Sequence, residues 1–412
     1  MLEASPPRID HFPALLARIP SRIDLEALAR EVKAFQRSRG VRSATDLLRL
    51  ALAWGPGGYS MQRVAAWAGE MNIATLTEDA LVQRLHAAGR FLEAVTRELL
   101  LGVEQAPCWH DRVLRISDST SLSKPASKGT DWRVHGVYDL GRGGFTHLEV
   151  TDGRGGEALD RGAPVAGEIR IADRGYANAQ AWQRFLRARD ERTDFIVRMR
   201  WNTIRLVDEA GRLFDIIGWL QGRPCESETH EITVWAQSGK HQAPMKIRLI
   251  ARRKSPEVIE AEHKRLRQRA SRKQTQLDPR SLVAAEYLAL ATSLPEAEFP
   301  AKEVLAVYRL RWQIELAFKR LKSLLHLGQL RTKTEAGTRC WLYAHLIVAL
   351  LGDDLSQDVL DSFPSGVARR WRHQFTVARD AGRSRCADRG NRARDHARQA
   401  PTPFAALAPP AR

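Results

Sequence analysis

Through the first hundred residues, apolar positions recur every three or four places, and beyond about residue 112 they tend to alternate. The first pattern predicts amphipathic helices and the second predicts strands with one or both faces covered. In the helical part, Ser21 and Ser43 are candidate N-caps, the latter opening a helix over 44–54. Gly55-Pro56-Gly57-Gly58 breaks the chain, and Ser60 opens a second helix to about residue 68. Thr77, followed by Glu78 and Asp79, caps a third, on which Ala80, Leu81, Leu85 and Ala88 share a face. This last helix carries Gln83, Arg84 and His86 and follows its predecessor after a short link. Such a pair suits either a helix-turn-helix-like unit or an ordinary bundle.

The strand pattern begins at 112–117 and is expected to end in Asp118, beside Ser119, Thr120 and Ser121. Strands over 134–140 and 145–150 flank Gly141-Arg142-Gly143-Gly144, a hairpin signal. A short strand over 168–172 runs into Asp173-Arg174-Gly175-Tyr176, a helix follows over about 177–189, and then a strand over 195–200. Between 201 and 300 the pattern predicts strands at 204–207, 232–235, 245–251 and 286–292, with a basic helix at about 256–273. Lys264, Arg265, Arg267, Arg269, Arg272 and Lys273 crowd the second half of that helix, which reads as a phosphate clamp in preference to a solvated face. Residues 341–351 are apolar enough for a core helix.

One stretch stands out. Residues 308–322 contain no Gly or Pro and are rich in helix formers. Tyr308, Arg311, Glu315 and Lys322 are spaced three, four and seven apart and line up on one stripe of a helix. Leu310, Ile314, Ala317, Leu321 and Leu325 make an apolar stripe beside it, and Pro300 suits the first turn of the same helix. An i,i+4 Arg–Glu pair is often a solvated face. One acid among basic heads also suits a phosphate approached through a metal.

Charge favours the second reading. The chain has 412 residues, enough for two or three domains, and 65 basic against 48 acidic residues give a net charge of +17. Such a surplus points to a polyanionic partner. Cys108, Cys225, Cys340 and Cys386 form no C-x-x-C pair, which argues against a zinc site or a disulfide framework and fits a reducing cytoplasm. No signal-peptide core and no membrane-length apolar run is present. Residues 365–400 contain ten Arg but no Lys, Leu or Ile, so the region 356–412 is expected to be a disordered Arg-rich tail. It is either native or the product of a shifted reading frame in GC-rich DNA.

The spacing Tyr308-x2-Arg311-x3-Glu315-x6-Lys322 resembles the signature of the insertion-sequence-4 family of DDE transposases. The strings Asp173-Arg174-Gly175-Tyr176 and Arg133-x-His135-x-x-Tyr138-Asp139-Leu140 also look like family sequence. The resemblance implies an α+β, or α/β, chain: an all-helical DNA-binding domain at 1–106, then an RNase H-like catalytic core at 107–200 and 301–355. A β-rich insertion at 201–300 would interrupt that core. It implies that Asp118, Asp173 and Glu315 hold two Mg²⁺ ions, with Mn²⁺ able to substitute, and that Tyr308, Arg311 and Lys322 grip phosphates near the cut. Asp139 and Asp152 are rival carboxylates in less suitable contexts. Some family members stack a Trp on a flipped base just before the last strand of the insertion; here Tyr287 occupies that place. The implied partners are double-stranded DNA, as terminal inverted repeats and target, and a second copy of the chain when assembled on DNA. The implied setting is the bacterial cytoplasm, near the nucleoid. A DNA-binding remnant that no longer cuts, or a nuclease without strand transfer, are the alternatives.

Overall fold

The computed structural model describes residues 12–35, 40–101, 109–124, 126–127, 129–141, 143–188, 192–222, 229–239, 242–312, 314–315, 318 and 330–351. The Arg-rich tail and Lys322 lie outside these residues. The chain divides into two compact units, Met1–Ile19 with Val348–Arg412, and Pro20–Ile347. In the first, α1 (Phe12–Leu16) buries Leu15, and Arg18 Nη1 donates to the Leu351 carbonyl at 3.2 Å.

The second unit opens with α2 (Leu25–Glu31), α3 (Ala44–Trp54), α4 (Met61–Glu70) and α5 (Glu78–Leu100). Side-chain oxygens of Asp24, Ser43, Ser60 and Thr77 accept from the amides of Ala27, Asp46, Arg63 and Ala80, satisfying donors that a helix start leaves open. The expected cap at Ser21 is therefore displaced to Asp24, whose carboxylate reaches the amide three residues on. On α5, Leu81, Leu85, Ala88, Leu92 and Val95 are fully buried at three- and four-residue spacing.

Among the described residues the strands are β1 (Val113–Leu122), β2 (Trp132–Asp139), β3 (Gly144–Asp152), β4 (Glu168–Ala172), β5 (Asp194–Arg198), β6 (Arg205–Val207), β7 (Thr229–Gln237), β8 (Met245–Arg253) and β9 (Tyr287–Thr292). All nine form one sheet in the order β3-β2-β1-β4-β5-β9-β8-β7-β6. The first three are antiparallel, β1–β4 and β4–β5 are parallel, and the rest are antiparallel. This mixed α/β sheet is compatible with an RNase H-like core. The strands between 201 and 300 join the core sheet edge to edge through β9, which pairs with β5 on one side and β8 on the other. A continuous apolar cluster runs beneath them, from Trp182 and Phe185 of α6 (Ala179–Arg187) through Phe195 and Val197 to Val234, Ile247 and Leu249, and it takes in Ile216, Ile217 and Leu220 of α7 (Ile216–Gln221). After β8 come α8 (Pro256–Lys273) and α9 (Pro279–Ala285).

β1 does not end at Asp118 as the hydroxyl-rich sequence suggests. It continues to Leu122 because β2 pairs with it as far as Leu122↔Trp132. The parallel partner β4 stops earlier, at Ser117↔Ala172.

The sheet face carrying Arg115 and Arg170 is held by buried charge. Glu168 is fully buried; its carboxylate accepts from Arg170 Nε at 2.5 Å and from Arg115 Nη1 at 3.4 Å. Arg115 Nε donates to Asp139 at 3.3 Å. Arg170 Nη1 also donates to the carbonyls of Leu159, Arg161 and Gly162, fastening the 153–167 connection across this face. Asp139 is thereby committed to structure, and Asp152 accepts from the amides of Arg154 and Gly155 in a turn. Breaking a buried pair leaves a charge uncompensated. Arg170→Met should destabilise the full chain by about 3–5 kcal/mol in urea unfolding; a change below about 1 kcal/mol would show that the network does not hold this face.

Candidate active site

The end of the β1–β4 ladder builds the site. The last β1–β4 pair is Ser117↔Ala172, so Asp118 and Asp173 each sit one residue past it. Asp173 is still extended (φ −82°, ψ 176°), so alternation puts Asp118 and Asp173 on the face of the paired Ile116 and Ile171. The chain then turns through a single helical turn, Arg174–Tyr176, and enters α6 at its cap Asn178.

The 308–322 stretch approaches this face. Helix α10 (Ala301–Tyr308) begins after Pro300, which caps the helix and does not lie within its first turn. A tighter turn, Arg309–Arg311, follows, and the backbone is helical again at Trp312, Ile314, Glu315 and Phe318. Ile314 and Phe318 are buried. Phe318 lies over Gly136, the residue opposite Asp118 on β2: a Cβ there would meet Phe318 Cζ and Phe145 Cε1 at 2.8 Å each. Glycine at 136 thus admits the ring that brings the Glu315 turn toward Asp118.

The Tyr308 hydroxyl donates to Asp173 Oδ1 at 3.2 Å, and Arg198 Nη1 lies 3.7 Å from the same oxygen. Arg311 Nη2 is 2.6 Å from Glu315 Oε1. Among the described residues, no three acidic, His or Cys side chains stand together closely enough to hold a metal; Glu315 is engaged by Arg311.

Charge differs between the two aspartates. Burial raises the Asp118 carboxyl to about 6, against the Ser119 amide and the Arg311 charge, and Glu157 and Glu315 push it the same way. Burial acts on Asp173 too, yet the Arg174 amide and the Arg311, Arg198 and Arg174 charges outweigh it and hold that carboxyl below its usual range. Burial and the Asp173 charge raise the Tyr308 phenol well above its ordinary value, so it stays a donor. Lys254, between β8 and the basic helix α8 (Pro256–Lys273), is lowered by burial and then by Arg198 and Arg174, which places a basic group beside the Asp173 turn.

Several residues expected from sequence lie elsewhere. Lys264, Arg265, Arg267 and Arg269 are on α8, which has no buried residue. Tyr287 is only 5% exposed and belongs to the apolar cluster beneath the sheet, because β9 is an interior strand; its burial speaks against base stacking. Glu157, Arg198 and Lys254 were not legible as site residues: each is isolated in sequence and reaches the site only through strand order.

Asp118 and Asp173 thus lie just beyond the last β1–β4 pair, with Glu315 on a later helical stretch, and comparison with known proteins gives the class of enzyme. Residues 109–351 match the model of the transposase DDE domain. The chain is 41% identical to the transposase for insertion sequence element IS421 of Escherichia coli, over 86% of this chain and 96% of that one. It is equally similar to the InsL protein for insertion sequence element IS186A of Escherichia coli (strain K12), over 86% and 96%. Similarity to the transposase for insertion sequence element IS231F of Bacillus thuringiensis subsp. israelensis is 25%, over 79% and 76%. The chain belongs to the DDE transposase family and is a DNA transposase.

The Asp118 shift has a consequence for stability. A carboxyl raised from 3.8 to about 6 binds its proton more tightly in the folded chain than in the unfolded one. Its contribution is complete below about pH 4 and is lost as pH rises through about 6. Without metal, Asp118→Asn should therefore stabilise the protein at about pH 8, by up to roughly 2–3 kcal/mol, and change little at about pH 3.5. Thermal unfolding at both pH values checks this; equal effects at the two would contradict it.

Proposed function

We propose that this transposase is of the insertion-sequence-4 type, cutting DNA at the ends of its element and joining those ends to a target by phosphodiester chemistry. The observation that carries the reading is the juxtaposition of Asp118 and Asp173 one residue beyond a parallel strand pair, with Tyr308 bonded to Asp173. Glu315 and Arg311 come from the same short stretch as Tyr308, in the spacing that resembles the family signature.

Asp118, Asp173 and Glu315 would hold divalent ions, Mg²⁺ with Mn²⁺ as substitute. The donor set fits: all three offer hard oxygen ligands. Burial raises the Asp118 carboxyl, whose charged form a bound ion would stabilise, and the Arg311 guanidinium acts on all three acids as such an ion would. When bound, such ions supply positive charge at the attacking and leaving oxygens of a phosphodiester.

The protein's own groups have distinct tasks. Tyr308 orients Asp173 through its hydroxyl. Arg311, Arg198 and Lys254, with Lys322, are suited to bind backbone phosphates beside the cut, contacts that position without reading sequence. The exposed cations of α8 extend the electrostatic track. The capped helices α2 to α5 are the candidate reader of the element's terminal repeats, with two chains assembling on paired ends.

Two experiments test the reading. Asp118→Asn, Asp173→Asn and Glu315→Gln should each lose roughly three or more decades of Mg²⁺-dependent end cleavage while keeping near-normal end binding. A variant that cuts at the wild-type rate would remove that residue from the site, and intact cutting by all three would favour a DNA-binding remnant. For α8, replacing Lys264, Arg265, Arg267 and Arg269 with Gln should flatten the log–log salt dependence of DNA binding by about 3–4. An unchanged slope would make the helix a solvated face.

A further inference from the structure

A fourth carboxylate reaches both chains just beyond the β1–β4 ladder. Glu157 lies in the 153–167 connection and is about a quarter exposed (26%). Its Oε1 accepts from Ser119 Oγ at 2.8 Å, one residue after Asp118. The same oxygen accepts from Arg133 Nη1 at 3.3 Å. Its Oε2 packs on Gly175, two residues after Asp173, so closely that a Cβ at 175 would fall 1.6 Å from it. One side chain thus touches the backbone neighbourhood of both aspartates from the face opposite to theirs. The connection that carries it is fixed nearby, by Arg161 Nη1 on Glu149 at 2.8 Å and by Arg170 on three of its carbonyls.

We propose that Glu157 is a positioning residue that clamps the Ser119 and Gly175 segments together and so sets the separation of Asp118 and Asp173. The proposal rests on the reading of these aspartates as metal ligands. β1 and β4 cease to pair before either aspartate, so the ladder brings the two near each other without pairing them. Beyond the ladder, Glu157 accepts from Ser119 with one carboxylate oxygen and packs against Gly175 with the other. Glycine at 175 follows from the same contact, since any larger residue would displace the carboxylate.

The test uses the full chain and three readouts: Mn²⁺ affinity by calorimetry, cleavage of element ends, and thermal stability. Glu157→Ala should weaken Mn²⁺ binding and cleavage by about 10–100-fold, the usual effect of losing a group that orients metal ligands. Glu157→Gln, which keeps the shape and the acceptor for Ser119, should lose less and guards against a folding defect. Gly175→Ala should impair both activities in the wild-type background and add little to Glu157→Ala, because the two act through one contact. Additive losses, or wild-type affinity and rate in Glu157→Ala, would overturn the proposal. Asp118→Asn run alongside separates the two levels. If it abolishes Mn²⁺ binding while Glu157→Ala leaves it intact, only the Glu157 assignment fails. If Asp118→Asn itself binds and cuts normally, the metal-ligand reading fails and the clamp with it.

Discussion

The parallel pairing of β1 with β4 is the constraint on which the site depends. It brings together two residues 55 positions apart in sequence, and it stops one step short of both. A longer ladder would lock Asp118 and Asp173 into sheet geometry; a shorter one would leave them unrelated. The opposite sheet face bears the load of keeping the pairing in place. There Arg115, Asp139, Glu168 and Arg170 are buried together, each charge answered by another. Such a network adds little net stability over an apolar core but penalises any register in which a member is left unpaired.

The second constraint is electrostatic. Asp118 is raised and Asp173 is lowered, although burial pushes both upward. The difference lies in the cations around Asp173, where Arg174 and Arg198 join Arg311. Arg311 serves two ends of the site, closing on Glu315 while tempering both aspartates. An acidic centre ringed by fixed cations suits a substrate that is itself a polyanion, since the ring attracts phosphate where the carboxylates alone would repel it.

Local chemistry made much of this legible. Side-chain caps at Ser43, Ser60 and Thr77 mark helix starts because a hydroxyl three residues before an open amide is a short-range signal. The basic helix Pro256–Lys273 and the strand Glu168–Ala172 lie where composition and alternation put them. What was not legible depends on partners distant in sequence. β1 runs past Asp118 because β2 pairs with it there, and Tyr287 is buried because β9 lies inside a nine-stranded sheet. Glu157 sits in a connection with no periodic pattern, so only its contacts reveal it. The spacing of Tyr308, Arg311 and Glu315 predicts one helical stripe; a tighter turn at Arg309–Arg311 interrupts that helix, Arg311 pairs with Glu315 within the stretch, and the Tyr308–Asp173 bond links it to the strands.

The central claim is that Asp118 and Asp173 converge on one cation. Anomalous scattering from crystals of the full chain grown with Mn²⁺ tests it without relying on turnover. The account predicts a peak bonded to carboxylate oxygens of both residues, at the roughly 2.1–2.3 Å expected for a hard divalent ion with oxygen ligands. Mn²⁺ bound only at positions that touch neither aspartate, with Arg311 still closed on Glu315, would contradict it.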